Sequence, residues 1–236
     1  RKLLTHLREV VKIVRYVNAN GHKEMEPLHG EYYDLEWTEK MMTAPPLREN
    51  IPIWIAALKD KLTSMTLEIA DGLMVHALWT VDYTVQKNDF IHSELARFGR
   101  KREDIEINAW PWVAINDDKQ QAIDDSRATV AGYAGYKEYE DFFDSIGFGD
   151  LARDCQLAAG KHGDVSGVIG KVSDEMVQAF VKCGPVDEVL EQLEPFWGVV
   201  DSLCPMTPYR NLSMEQLTKY NEGLFAMVAE AKRQEG

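Results

Sequence analysis

The chain opens on a helical stripe. Leu3, Leu4, Leu7, Val10, Val11, Val14 and Val17 recur at the spacing that lines one face of an α-helix. Asn20-Gly21 marks its end. Residues 22–50 follow no period: His29-Gly30-Glu31-Tyr32-Tyr33 reads as a short extended piece and Ala44-Pro45-Pro46 as a rigid connector. The pattern then changes. Ile51 to Leu58 is almost continuously apolar, as a strand covered on both faces is, and Pro52 is tolerable only near its start. Leu62, Met65, Thr66 and Ile69 share a helical face within 59–70, Asp71-Gly72 breaks that helix, and Leu73 to Leu78 is a second buried strand. The spacing predicts a helix over 81–98 that stops at Gly99, then a third strand over 105–115. Residues 117–160 read as helical, with interruptions near Gly147 and Gly149. A helix over 186–196, a fourth strand over 199–206 and a closing helix over 213–233, with Ser213 as its N-cap, complete the chain.

A helix followed by four strand–helix alternations is an α/β arrangement, a parallel sheet covered by helices. No repeat and no domain boundary shows, so a single domain over 1–236 is expected, with a helical insertion around 133–175 between the third and fourth strands. A dinucleotide-binding sheet should carry GxGxxG after its first strand; here that turn reads Ala56-Ala57-Leu58-Lys59. Pattern alone leaves the doubly wound sheet and the barrel both open.

At 236 residues, with 45% hydrophobic and 28% charged positions, the chain can bury a real core. No apolar run suits a membrane span, and the charged amphipathic start is no signal peptide. It begins at Arg1, inside a helical pattern, as a cut or processed piece would. The net charge of −13 and the lack of a basic cluster beyond Arg97–Arg102 argue against nucleic acid and anionic membranes. Cys155, Cys183 and Cys204 form no CxxC pair, which favours a reducing cytoplasm. The six histidines are scattered and HExxH is absent, so no metal site is expected.

Several motifs, in order, carry a resemblance. Ile51-Pro52-Ile53-Trp54-Ile55-Ala56-Ala57 leads into a helix that ends Ile69-Ala70-Asp71-Gly72. Leu7 to Arg15 precedes it as a helix, and His29-Gly30-Glu31-Tyr32-Tyr33 supplies a G-x-aromatic-aromatic element. Cys183-Gly184-Pro185-Val186-Asp187-Glu188-Val189 stands as a turn into a late helix. Together these resemble the luciferase-like monooxygenase family over nearly the whole chain, with Ala56-Ala57 closer to the branch that uses coenzyme F-420. The resemblance implies a partial luciferase-like (β/α)8 TIM barrel with roughly its last four strand–helix units present and its N-terminal part lacking. It further implies an oxidoreductase that transfers hydride between coenzyme F-420, a deazaflavin, and a small organic substrate. The alternatives are an FMN-dependent monooxygenase served by a flavin reductase, and a non-catalytic barrel remnant that binds flavin or only assembles. Unpaired strand edges would then favour a homo-oligomer such as a homodimer.

In such barrels chemistry sits at the C-terminal ends of the strands. Ala56, Ala57, Leu58 and Lys59 would face a cofactor phosphate, small residues admitting the backbone N–H groups and Lys59 adding charge. Relatives often have Gly where this chain has Leu58. His76 would hydrogen-bond the cofactor or substrate, and a structural role weighs equally. Trp79 belongs to the same strand end and suits packing better than stacking. Trp110 and Trp112 suit core filling, and Asp71-Gly72 a turn that exploits glycine's backbone freedom. Asp117-Asp118 and Asp124-Asp125 read as helix starts and solvated faces. No catalytic residue is assigned.

Overall fold

The structure is a computed structural model and describes residues 2–160 and 163–234. In chain order its elements are α1 (Leu3–Asn20), β1 (Leu28–His29), β2 (Asp34–Leu35), β3 (Trp54–Ala57), α2 (Asp60–Ile69) and β4 (Gly72–Val75). Then come α3 (Val81–Gln86), α4 (Asn88–Arg97), β5 (Glu106–Ala109), β6 (Trp112–Ile115), α5 (Lys119–Ala134), α6 (Glu140–Ser145) and α7 (Gly149–Ala159). The last are α8 (Asp174–Phe180), β7 (Val181–Gly184), α9 (Val186–Leu193), β8 (Ser202–Leu203) and α10 (Met214–Gln234). Contacts divide the chain into two compact units: one runs up to Val75 and includes Asn88–Asn108, and the other takes His76–Lys87 and everything from Ala109.

In the first unit part of the α1 stripe packs against β3 and α2. Val11 is buried with Ile55, Met65 and Ala70, and Leu4, Leu7, Ile53, Leu62 and Ile69 pack around them. β3 and β4 run parallel, with Trp54 opposite Gly72 and Ala57 opposite Val75. The Asp71 carboxylate fixes the entry to this pair. Its Oδ2 accepts from the Ile53 N–H and from Arg15 Nη2, both at 2.8 Å. The N–H groups of Asp71 and Gly72 return to the Ile53 carbonyl at 2.9 and 3.2 Å.

Gly72 corrects the sequence reading. Its φ is not positive, so backbone freedom is not its purpose. A Cβ there would stand 2.4 Å from the Trp54 indole, and only a residue without one lets that ring lie across β4. Gly30 is constrained similarly: a Cβ would stand 2.4 Å from Glu9 Oε2. The Glu9 carboxylate accepts the N–H groups of Glu31, Tyr32 and Tyr33 at 2.7, 3.0 and 3.1 Å, in the turn between antiparallel β1 and β2. Burial pushes the Glu9 pKa up, but these three backbone bonds outweigh it and hold the carboxyl below its ordinary value.

In the second unit β6 and β7 run parallel, from Trp112 opposite Val181 to Ile115 opposite Gly184. α10 closes on β6: a Cβ at Gly223 would stand 2.7 Å from the Ile115 Cβ. The α10 start carries a reciprocal cap, Gln216 N–H to Ser213 Oγ at 3.2 Å and Ser213 N–H to Gln216 Oε1 at 2.9 Å. Asp118 caps α5 through the Gln121 N–H at 3.0 Å. Asp125 is not simply solvated, because it accepts from the buried Tyr220 hydroxyl at 2.7 Å.

Several boundaries move. The strand expected over 105–115 is two strands, split at Trp110-Pro111, where proline offers no N–H to a ladder. Cys183-Gly184 ends a strand, β7, rather than forming a turn alone. The helix over 81–98 breaks at Lys87 into α3 and α4, and the fourth expected strand shrinks to Ser202–Leu203. Helices α6 and α7 lie within the segment 133–175, of which residues 161 and 162 lie outside the described residues. Among the described residues no helix is long and apolar enough to cross a membrane.

Two outcomes follow from these contacts. Gly72→Ala should lower stability by about 1–3 kcal/mol, the usual cost of overpacking, and an unchanged urea midpoint would rule out the Trp54 contact. Glu9→Gln should also lower the midpoint near neutral pH. Because the folded pKa is depressed, this contribution is complete above the unfolded carboxyl value of about 4.3 and fades as pH falls through the folded one. The gap between the two proteins should therefore close in acid; a gap that persists at low pH would count against the carboxylate's role.

Candidate functional site

The four residues after Trp54-Ile55 lie in the first unit. Alternation along β3 turns Ile55 and Ala57 inward, both buried, and leaves Ala56 exposed. Leu58 is half-buried and Lys59 exposed. The chain enters α2 through Lys59 in extended conformation, with no side-chain cap on the helix. The Lys59 carbonyl accepts the N–H groups of Leu62 and Thr63, each at 3.0 Å. Small side chains before an N-terminus without a side-chain cap suit the approach of an anionic group. Asp60, in the first turn, offsets part of that attraction.

His76 and Trp79 lie in the second unit. The His76 Nδ1 accepts the Leu78 N–H at 3.1 Å, and a backbone N–H can only donate. Nδ1 therefore carries no proton, and the neutral ring holds its proton on Nε2. That atom lies 3.3 Å from the Tyr139 hydroxyl. Burial pushes the His76 pKa down, so the ring is neutral at pH 7 and acts as an oriented donor. Trp79 is 3% exposed and packs edge-on against Tyr83, with ring centroids 5.3 Å apart. Trp112 is buried at 4%, against Tyr133 at 5.7 Å.

Sequence reasoning missed the tyrosines around His76. Tyr133 lies edge-on to it at 6.1 Å, and Tyr139 is tilted against it at 5.2 Å. Burial pushes both phenols up, so they remain protonated donors near neutrality. The signal was present in Tyr133, Tyr136 and Tyr139, spaced by three across the end of α5 and the following 3-10 turn. It sat in a segment that looked like a mere insertion. Among the described residues no group of His, Cys, Asp and Glu could hold a metal ion.

Residues 1–198 match the model of the luciferase-like monooxygenase family. The chain belongs to the luciferase-like monooxygenase family. It is 30% identical to an uncharacterized protein of Mycobacterium tuberculosis, over 75% of this chain and 54% of the relative. It is 26% identical to the 5,10-methylenetetrahydromethanopterin reductase of Archaeoglobus fulgidus, over 92% of this chain and 65% of the relative. In structure it resembles the coenzyme F420-dependent tetrahydromethanopterin reductase from Methanopyrus kandleri. The TM-score is 0.71 at 22% identity, covering 92% of this chain and 62% of that one. The chain thus spans between half and two thirds of the length of these luciferase-like relatives. The fold is the expected one, a luciferase-like barrel present in part, with parallel pairs β3–β4 and β6–β7.

The His76 geometry sets a pH expectation. A folded pKa below the ordinary value of about 6.5 means that the unfolded chain takes up this proton first, so stability falls as pH drops through that range. In an NMR titration the His76 ring should change charge below the ordinary histidine value of about 6.5. Tyr139→Phe removes the Nε2 partner and should leave the Nδ1 bond intact; a His76 that titrates at or above about 6.5 would refute the burial that lowers it.

Proposed function

We propose that this chain is part of a coenzyme F-420-dependent oxidoreductase that moves hydride between the deazaflavin and a small organic substrate. The observation that carries this is the similarity to a reductase over 92% of the chain, which spans both strand ends described above. The solved reductase of the same fold, named for coenzyme F420, agrees with it.

The residues present fit a phosphate-bearing cofactor. Ala56, Ala57 and Leu58 would let the backbone close on the phosphate at the head of α2, and Lys59 would add a point charge. His76 would donate from Nε2 to a ring or substrate oxygen, with Trp79 packed behind the same loop. The bound deazaflavin would supply the hydride chemistry, and the protein would hold and orient it. His76 is a neutral donor, so it would position a carbonyl rather than exchange protons. The reading carries with it a small-molecule partner, a homo-oligomer and a cytoplasmic setting, and it requires no flavin reductase.

Titration of the chain with coenzyme F-420 and, in parallel, FMN, followed by cofactor fluorescence, tests the reading. Coenzyme F-420 should saturate, and Lys59→Ala should weaken it roughly tenfold, as the loss of one charge-assisted bond does. Saturation by FMN alone would replace this reading with the monooxygenase one. Binding of neither would favour the non-catalytic reading.

A further inference from the structure

Arginines in this acidic chain usually meet a carboxylate. Arg8, Arg15, Arg97, Arg127 and Arg153 each pair with one. Arg210 has no such partner among the described residues. Its Nη2 donates to the Tyr136 hydroxyl at 3.3 Å, its guanidinium lies 5.7 Å from the Tyr209 ring, and its Nε is buried without a hydrogen-bond partner.

The surroundings hold it there. The N–H groups of Tyr209 and Arg210 both point to Thr129 Oγ1, at 3.3 and 3.4 Å, and Thr129 is itself buried. The next residue, Asn211, takes a positive φ of 58°. Under the guanidinium lies Gly132, inside α5. A Cβ at this position would stand 2.5 Å from Arg210 Nε and 2.7 Å from Cζ. Glycine is a poor choice in a helix interior, and the same helix uses Ala128, Ala131 and Ala134 nearby. The missing side chain is the space in which the guanidinium lies.

The place is open. Tyr136 and Tyr209 are each 47% exposed, and behind them Trp112 lies 5.8 Å from Tyr209 and 5.7 Å from Tyr133. A cation with unmet donors, beside exposed aromatic faces, is how a protein recognises an oxyanion on an organic body. A net charge of −13 makes a local cation necessary for that.

We propose that Arg210 and Tyr136 form a subsite for the carboxylate or phosphate group of a small organic ligand. The subsite stands independently of hydride transfer. It takes the oxyanion whether that group belongs to a substrate or to a cofactor tail.

Isothermal titration with benzoate and, separately, inorganic phosphate tests it without any deazaflavin. At least one should bind saturably, one per chain. Benzoate alone identifies a carboxylate on an organic body, phosphate alone a phosphate, and binding of both the shared chemistry. Arg210→Gln should weaken binding roughly ten- to hundredfold, the range for a lost charge-assisted hydrogen bond. Gly132→Ala should do the same by displacing the guanidinium. Because alanine suits a helix interior and the arginine end can move, its melting temperature should not fall. Binding of neither probe, or binding that survives either substitution in a folded protein, overturns the proposal. A chain that binds benzoate but not coenzyme F-420 keeps the subsite and loses the hydride-transfer reading.

Discussion

The Asp71 carboxylate is the contact on which the first unit depends. Parallel strands cannot be joined by a tight turn, so their register must be set by something other than a hairpin. Here the crossover is α2, and Asp71 sits where it returns to the sheet. One oxygen takes the Ile53 N–H and the Arg15 guanidinium together, while the Asp71 and Gly72 N–H groups go back to the Ile53 carbonyl. That closes α1, the approach to β3 and the start of β4 on one point. The Arg15 pair is half-exposed and contributes little alone. The directional bond to backbone is what fixes register. A slip by one residue would turn Ile55 and Ala57 out of the core and move every strand-end residue with them.

This explains what the sequence could convey. Helix α1 and the strands within the apolar runs at 51–58 and 73–78 were legible, although the strands are shorter than the runs and only Val11 of the α1 stripe is buried. Ser213 was legible because capping is local: its partner, Gln216, lies three residues on. Asp71-Gly72 was legible as a position and misread as a cause. The reason for Gly72 is an indole eighteen residues earlier, and no local rule carries that. β7 was hidden by Lys182, a charge in a four-residue strand. Its ammonium turns back to the carbonyls of Gln178 and Ala179, so its stem can be buried. The break at Pro111 was visible as a proline but outweighed by the apolar run around it.

The sequence named His76 as a candidate by its place at a strand end. Its tautomer depends on the Leu78 N–H, a feature of the loop's path, and its partner Tyr139 lies 63 residues away. Arg210 could not be found from its neighbours in sequence either. What sets it apart is an Nε buried without a hydrogen-bond partner, together with a glycine in a helix 78 residues earlier that makes room for it.

Charge in this molecule is sorted by depth. At the surface, carboxylates meet lysines and arginines in ion pairs that are screened and individually weak. Several titratable groups inside the second unit are held in their neutral forms. Burial lowers His76, raises Tyr133 and Tyr139, and pushes the Cys183 thiol up to about 12. Side chains held this way offer hydrogen-bond donors whose charge does not change near neutral pH. Hydride transfer gains from such donors, since a carbonyl can be oriented without a proton being lost to a competing base. Acid–base catalysis would want the opposite, a group tuned to exchange its proton near pH 7. Under the proposed reading the neutral His76 and its phenol neighbours would orient a ligand rather than relay protons, and fixed positive charge would be left to a guanidinium that burial cannot discharge.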